Sequence, residues 1–363
     1  MTTTAPRIAI VHARDLTAAD LDRWNELRAA TTTAANPFMS AQFSQAVGRV
    51  RDDTRVAVLR RGGRTVGYFP YQRSRWGCGR AVGLGVSDCQ GAVLDPDLRL
   101  DPHQLMRACA LSTWEFNHLE SGQDLFLPYA TGRFASPVVD LTPGFEAYER
   151  HLHAHARGFL KTARSQERRL ARNAGPVRFV QDDRSGAALR ALIAWKSAQY
   201  RRTGRRDPFA QPWIARLVDT LSATTAADCS GTLSVLYAAG RPVAAHFGLR
   251  SRTVLSCWFP AYDRAFAGYS PGRILYLRMI EAAAESGIRL VDFGRGDAPY
   301  KNSFKTGDLL VHEGALRTAD PAAALHWLRH EPLRVAHHLV RTHPALKRAA
   351  VRALHTVGTL RHR

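Results

Sequence analysis

Several common signals are missing from this sequence, and each absence removes a class of function. Its five cysteines, Cys78, Cys89, Cys109, Cys229 and Cys257, are odd in number, scattered and free of any CxxC pair. That argues against a zinc site or a disulfide framework and fits a reducing compartment. No apolar run approaches the roughly 20 residues that a membrane-spanning helix needs. The opening MTTTAPRIAIVHARD has no extended apolar segment, so a cytoplasmic protein without a signal peptide is expected. Acidic residues are scarce, 31 Asp and Glu against 51 Lys and Arg, which leaves a formal charge of +20. A GxSxG elbow, a Walker A loop and the kinase motifs are all absent, and Gly83-Leu84-Gly85 is too short a signal for a nucleotide loop.

What is present is a chain of 363 residues, 45% hydrophobic, long enough for two domains of ordinary size with real cores. The positive charge is clustered. Arg150–Arg178 holds eight basic residues against Glu167 alone, with Arg164, Arg168, Arg169 and Arg172 among them. Arg329–Arg363 holds eight against Glu331, including Lys347, Arg348 and Arg352, with Leu346, Ala350, Ala353 and Leu354 near helical spacing. Such clusters favour polyanions: nucleic acid, or an anionic membrane on which the tail would lie as an amphipathic helix.

Apolar periodicity gives a first map. Strands are expected at 7–12, 81–86, 137–141, 177–181, 254–259, 288–293 and 312–317. Helices are expected at 18–30, 38–50, 103–117, 145–173, 185–201, 211–223 and from Ser270 to Gly287. VAVLRRGGRTVGYFPY at 56–71 and TLSVLYAAGRPVAAHFGL at 232–249 read as β-hairpins. The two hairpins align without a gap: Val58-Leu59 with Val235-Leu236, Gly63-Arg64 with Gly240-Arg241, Val66 with Val243. Their surroundings also agree, so the chain reads as two similar α/β (α+β) units in tandem, each a mixed sheet flanked by helices. The expected boundaries are 1–142, 143–320 and a basic helical tail over 321–363.

The stretch SPGRILYLRMIEAAAESGIRLVDFGRGDAPYKNSFK, Ser270 to Lys305, organises the second unit. Ser270 reads as a helix N-cap with Pro271 in the first turn, and the strand ending at Phe293 opens into a run too polar and glycine-rich to be core. A helix N-terminus beside such a strand end is a common way to build a ligand site in α/β proteins.

The order of motifs resembles the acetyltransferase-like domain of the CelD/BcsL type, within the GNAT superfamily of N-acyltransferases. The residues that carry the resemblance are Trp195-Lys196, Gln199-Tyr200 and Thr203-Gly204, LSVLYAAGRPVAAHFGL, WFPAYD at 258–263, SPG at 270–272 and DFGRGDAPYK at 292–301. NPF at 36–38, GYFPYQR at 67–73 and SDCQG at 87–91 extend it into the first unit. Tandem units of this kind also resemble the Fem family, which moves aminoacyl groups from aminoacyl-tRNA to an amine. One departure stands out: the CoA pyrophosphate pattern Q/R-x-x-G-x-G/A is missing from 264–272.

Acyl transfer to an amine needs a base, a positive or N–H environment for the oxyanion, and a proton donor for the leaving group. His246, in the apolar strand VAAHFGL, is one candidate base and Asp297 another; each is equally readable as a structural residue, a core histidine or a turn-capping aspartate. Tyr262 and Tyr300 could protonate a leaving group. Lys301 and Lys305 lie four apart and would share a face if 300–305 is helical. The resemblance further implies roles for Asp292, Asp297, Tyr300 and Lys301. Lys196, Tyr200 and Arg205, with Arg201, Arg202 and Arg206, form a basic–aromatic patch suited to a phosphate-bearing donor. Trp258, Ser270, Gly272 and Arg273 complete the expected donor site. His151, His153 and His155 lack a third-ligand pattern, so no metal is expected. The expected function is an N-acyltransferase with no permanently bound cofactor. It would take aminoacyl-tRNA, or alternatively acyl-CoA, as co-substrate and a small-molecule amine as acceptor. A non-catalytic polyanion-binding protein on the same fold is the reading from a different class.

Overall fold

The computed structural model describes residues 5–31, 35–74, 77–156, 158–296 and 298–318. Asp297 and the tail from 321, with Lys347, Arg348 and Arg352, therefore lie outside the described residues.

The chain runs β1 (Arg7–His12), α1 (Ala18–Ala29), α2 (Ala41–Val50), β2 (Thr54–Arg61), β3 (Arg64–Arg73), β4 (Cys78–Arg80), β5 (Val93–Leu94), α3 (Pro102–Ala108), β6 (Thr113–Glu120) and β7 (Ala130–Asp140). Two helices follow, α4 (Phe145–His155) and α5 (Phe159–Ala174). The strand–helix order then recurs as β8 (Val177–Val180), α6 (Gly186–Arg202), α7 (Pro212–Ser222), β9 (Thr225–Ala226), β10 (Cys229–Ala238), β11 (Arg241–Arg250), β12 (Val254–Tyr262), α8 (Pro271–Glu285), β13 (Leu290–Asp292), α9 (Pro299–Asn302) and β14 (Gly307–Arg317).

The two expected hairpins form, and they turn in the same way. Gly62 and Gly63 have φ of 58° and 80°; Ala239 and Gly240 have 48° and 77°. Two successive left-handed residues match the twist of the flanking strands, which is why a two-residue loop suffices. The strands then take equivalent places in one sheet of order β1-β2-β3-β4-β6-β14-β7-β13-β12-β11-β10-β8. Read from either edge, four strands pair antiparallel and the fifth, β6 or β13, joins the fourth in parallel.

The sixth place is exchanged. β7, the last strand of the first half, pairs with β13 of the second; β14, the last of the second, pairs with β6 of the first. β7 and β14 also pair with each other, from Gly307↔Val138 to Gly314↔Ala130. The two units therefore share one continuous sheet rather than abutting as separate ones. Burial says the same, because one apolar core joins Trp24, Phe43 and Tyr68 to Leu192, Leu217 and Phe247.

Three elements differ from the sequence map. The span 81–86 is a series of turns, not a strand, since Gly83 and Gly85 have φ of 67° and 95°. The helix expected at 103–117 stops at Ala108; the chain reverses at Ala110 (φ 49°) and re-emerges as β6, burying Trp114 and Phe116. The long helix expected at 145–173 is two helices, separated at Gly158 (φ 80°).

Candidate active site

β12 and β13 run side by side for only three residue pairs, Val254↔Leu290 to Ser256↔Asp292. Beyond that they diverge. β12 continues to Tyr262, while the chain after Asp292 turns away through Phe293 and Gly294 towards α9. The backbone of Cys257–Tyr262 is left without a strand on that side. The resulting cleft has a volume of about 690 Å³. Its walls are β12, the first turn of α8, the 293–304 segment and the C-terminal part of α6, and Asp88 reaches in from the first half.

A bulge shapes the β12 wall. The β11–β12 register slips between Phe247 and Gly248, so Trp258 has no partner residue across the ladder. Its freed N–H donates to His246 Nε2 at 3.2 Å. His246 is 0% exposed, and burial, with a smaller push from Lys196, holds its pKa down at about 3. The expectation that His246 acts as a base is therefore corrected: it is a neutral acceptor that satisfies the bulge, and it does not line the cleft.

The floor is a buried polar network joining the halves. Asp292 accepts from Ser136 Oγ at 2.7 Å, from the Gly294 amide at 2.9 Å and from Asn36 Nδ2 at 3.3 Å. Asn36 Oδ1 in turn accepts from Ser256 Oγ at 3.1 Å. Asp292 is thus a brace beneath the cleft rather than a cleft-lining residue. Lys301, 7% exposed, donates to Gly294 O at 2.7 Å and so clamps the loop that Asp292 also holds.

Among the described residues Asp88 is the one carboxylate lining the cleft, and no sequence signal singled it out as chemical. Its Oδ1 lies 3.4 Å from His118 Nε2. Burial, helped by the nearby Asp292 charge and opposed by Lys301, raises its pKa to about 7. His118 is pushed down to about 4 by burial and by the Arg295 and Lys301 charges, so it stays neutral beside Asp88. A carboxyl poised near 7 at a cleft wall can take a proton from an amine under ordinary conditions.

The remaining expected residues fall into two groups. Lys196, Arg205, Trp258, Tyr262, Ser270, Gly272, Arg273, Tyr300 and Lys301 all line the cleft. Tyr300 stacks on Tyr276 at 5.7 Å between ring centres, and burial raises its pKa, so it keeps its proton. Lys196 is 8% exposed; its ammonium sits over the Tyr200 ring at 5.2 Å, and burial, then Arg205 and Lys301, lower its pKa to about 8. Outside the cleft lies Lys305. α9 ends at Asn302, so Lys301 and Lys305 do not share a helical face, and Lys305 pairs with Asp308 at 2.7 Å. On α5, Arg164 pairs with Glu149, Arg169 stacks over Tyr269 near the cleft mouth, and Arg168 and Arg172 are exposed.

The helix terminus offers little to a pyrophosphate. Ser270 is left-handed (φ 51°) and makes no side-chain cap, and Pro271 has no N–H. The Ser270, Arg273 and Ile274 amides bond to Ala267 O, Ser270 O and Ser270 O. That leaves Gly272 as the one amide of the first turn without a partner among the described residues.

Residues 157–302 match the family model for the acetyltransferase (GNAT) domain. No curated protein matches the chain. Among solved structures, FemX superimposes with a TM-score of 0.55 at 10% identity, over 85% of this chain and 96% of that one. The C-terminal domain of a protein designated a lysylphosphatidylglycerol synthetase, from Agrobacterium fabrum, gives 0.53 at 15% identity over 85% and 95%. L-PGS from Bacillus licheniformis gives 0.50 at 11% identity over 85% and 94%. At these identities the likeness is one of fold. Residues 157–302 thus match a GNAT acetyltransferase domain, set within a mixed α/β fold like that of these solved structures.

Proposed function

We propose that the protein transfers an acyl group, in our reading an aminoacyl group carried by tRNA, to the amine of a small-molecule acceptor. The observation that carries the transfer chemistry is the meeting in one cleft of Asp88, poised near pH 7, with Tyr300 and Lys301. Asp88 takes the proton of the acceptor ammonium. The amine nitrogen attacks the acyl carbonyl, and the cationic wall of Lys196, Arg205 and Lys301 stabilises the developing oxyanion. As the ester C–O bond breaks, Tyr300 gives its proton to the departing ribose oxygen and takes in its place the second proton of the attacking nitrogen, which is left as the amide N–H. The unpaired edge of β12 receives the acyl chain, as an unpaired strand edge receives any extended backbone.

Two features support RNA as the carrier over CoA. The first turn of α8 has one free amide where a pyrophosphate cradle uses several. Arg169 of α5 lies over Tyr269, next to the cleft-lining Ser270, and Arg168 and Arg172 of the same helix are exposed, more charge than one CoA requires. The likeness to the Fem family, which uses aminoacyl-tRNA, points the same way. The test is product formation from charged tRNA before and after RNase. Loss of product on RNase treatment is expected; undiminished product from purified acyl-CoA alone would show the carrier to be CoA.

A further inference from the structure

A second concavity adjoins the cleft. It has a volume of about 250 Å³ and lies between α6 and the end of β12, sharing Gln199, Ala261 and Tyr262 with the cleft wall. Its far side is Trp195 and Arg202 on α6 and Arg264 just after β12. Tyr262 is 41% exposed and stands between the two spaces. Arg202 and Arg264 are both exposed, and neither guanidinium has an ion-pair or hydrogen-bond partner among the described residues. The neighbouring arginines behave differently: Arg201 pairs with Asp207 and Arg241 with Asp263. The groove thus presents two aromatic side chains from different elements and two unpaired cations, its carboxylate Asp263 being held by Arg241, and it joins the cleft at Gln199, Ala261 and Tyr262.

We propose that this groove binds single-stranded RNA at the acyl-bearing 3′ end of the carrier, with bases against Trp195 and Tyr262 and phosphates on Arg202 and Arg264. The proposal rests on the reading of the carrier as RNA. Aromatic platforms alternating with cations are what successive nucleotides of an unpaired strand require, because every base has a π-face and every linkage a charge. A carrier with a single base would leave one platform unused.

The test uses the full chain and a fluorescein-labelled CCA trinucleotide, followed by anisotropy across a salt series. Stacking contributes about 1–3 kcal/mol per base, so Trp195→Ala is expected to weaken binding about 5- to 150-fold. Arg202→Glu and Arg264→Glu, both surface changes that leave the core alone, are each expected to lower the log–log salt slope by about 0.7. Arg216→Glu, on the exposed face of α7, is expected to change neither. If the trinucleotide binds the three groove variants as it binds the parent, or binds none of them including the parent, the groove assignment is overturned. The carrier reading has its own readout: RNase-resistant turnover of acyl-CoA overturns that reading even where the groove variants behave as expected.

Discussion

Replacing Asp88 by Asn should cost activity and add stability at the same time, and the size of each effect follows from the site. A positioned general base contributes about 10²- to 10⁴-fold, so kcat/KM is expected to fall by at least about 100-fold. The parent enzyme's kcat/KM should rise with pH through about 7, as the carboxyl loses its proton, and Asp88→Asn should lack that limb. The stability effect has the opposite sign. Moving the carboxyl from its ordinary 3.8 to about 7 corresponds, at 1.36 kcal/mol per factor of ten, to about 4 kcal/mol against the ionised form. The side chain keeps 23% of its exposure, and water there reduces the cost to ~2–3 kcal/mol. A carboxyl whose pKa is raised by folding contributes its full stability below its unfolded pKa and loses it as pH climbs through the folded one. The neutral amide avoids that loss. Urea denaturation should therefore find the variant more stable by ~2–3 kcal/mol at pH 8, with the gap closing as pH falls to 4. An unchanged pH limb in the variant, or a variant less stable than its parent at pH 8, would refute the assignment of Asp88.

Lys301→Ala should lower kcat at least about tenfold while the fold survives, because it loses both the cleft charge and the clamp on Gly294 O; circular dichroism and turnover together check this. His246→Ala should cost about 2–4 kcal/mol by orphaning the Trp258 amide and opening a cavity, without moving the pH profile of kcat/KM. Because burial lowers the His246 pKa to about 3, its contribution to stability should be lost as pH falls from about 6.5 towards 3, and acid denaturation of the parent against the variant measures that. Separate expression of 1–142 and 143–363 should yield no stable half, since each supplies the sixth strand of the other's sheet; a cooperative melt from either piece alone would contradict the exchange.

Much of the fold was legible because it rests on local chemistry. Two glycine turns between apolar alternations announce the hairpins, and their gapless match reflects equivalent sheet positions. The 292–301 run stands out because it is so polar and glycine-rich directly after an apolar strand. What stayed hidden depends on contacts made at long range. The strand exchange leaves no local mark, since β7 and β14 read like any strand until their neighbours are known. β6 was masked because Leu105, Cys109 and Ser112 continue a helical period past the point where Ala110 reverses the chain. His246 looked chemical because a lone polar residue in an apolar strand does. Its use became visible only with the bulge one strand over. Asp88 sits in SDCQG, legible as part of a family pattern, but its raised pKa comes from burial in the assembled cleft, helped by the charge of Asp292, 204 positions later in the chain.

That separation also explains why the two halves are locked rather than tethered. The loop holding Asp88 is pinned to β6: Gln90 Oε1 accepts the Asn117 and His118 amides, and Gln90 Nε2 donates to Asn117 Oδ1 at 2.8 Å. β6 is paired to β14, which follows α9 and Lys301 in the second half. Ser136, which holds Asp292, lies on β7, paired to that same β14. Asp88 and the Gly294 loop thus approach each other along a circuit of hydrogen-bonded strands and side chains. The approach is close: a Cβ on Gly294, which already sits at φ 70°, would come within 2.7 Å of Asp88 Oδ2. An acid–base group must be held to within a fraction of an ångström of its proton partner to act. A flexible linker between two complete domains could not hold Asp88 against Gly294 so tightly, whereas two exchanged strands in one sheet can.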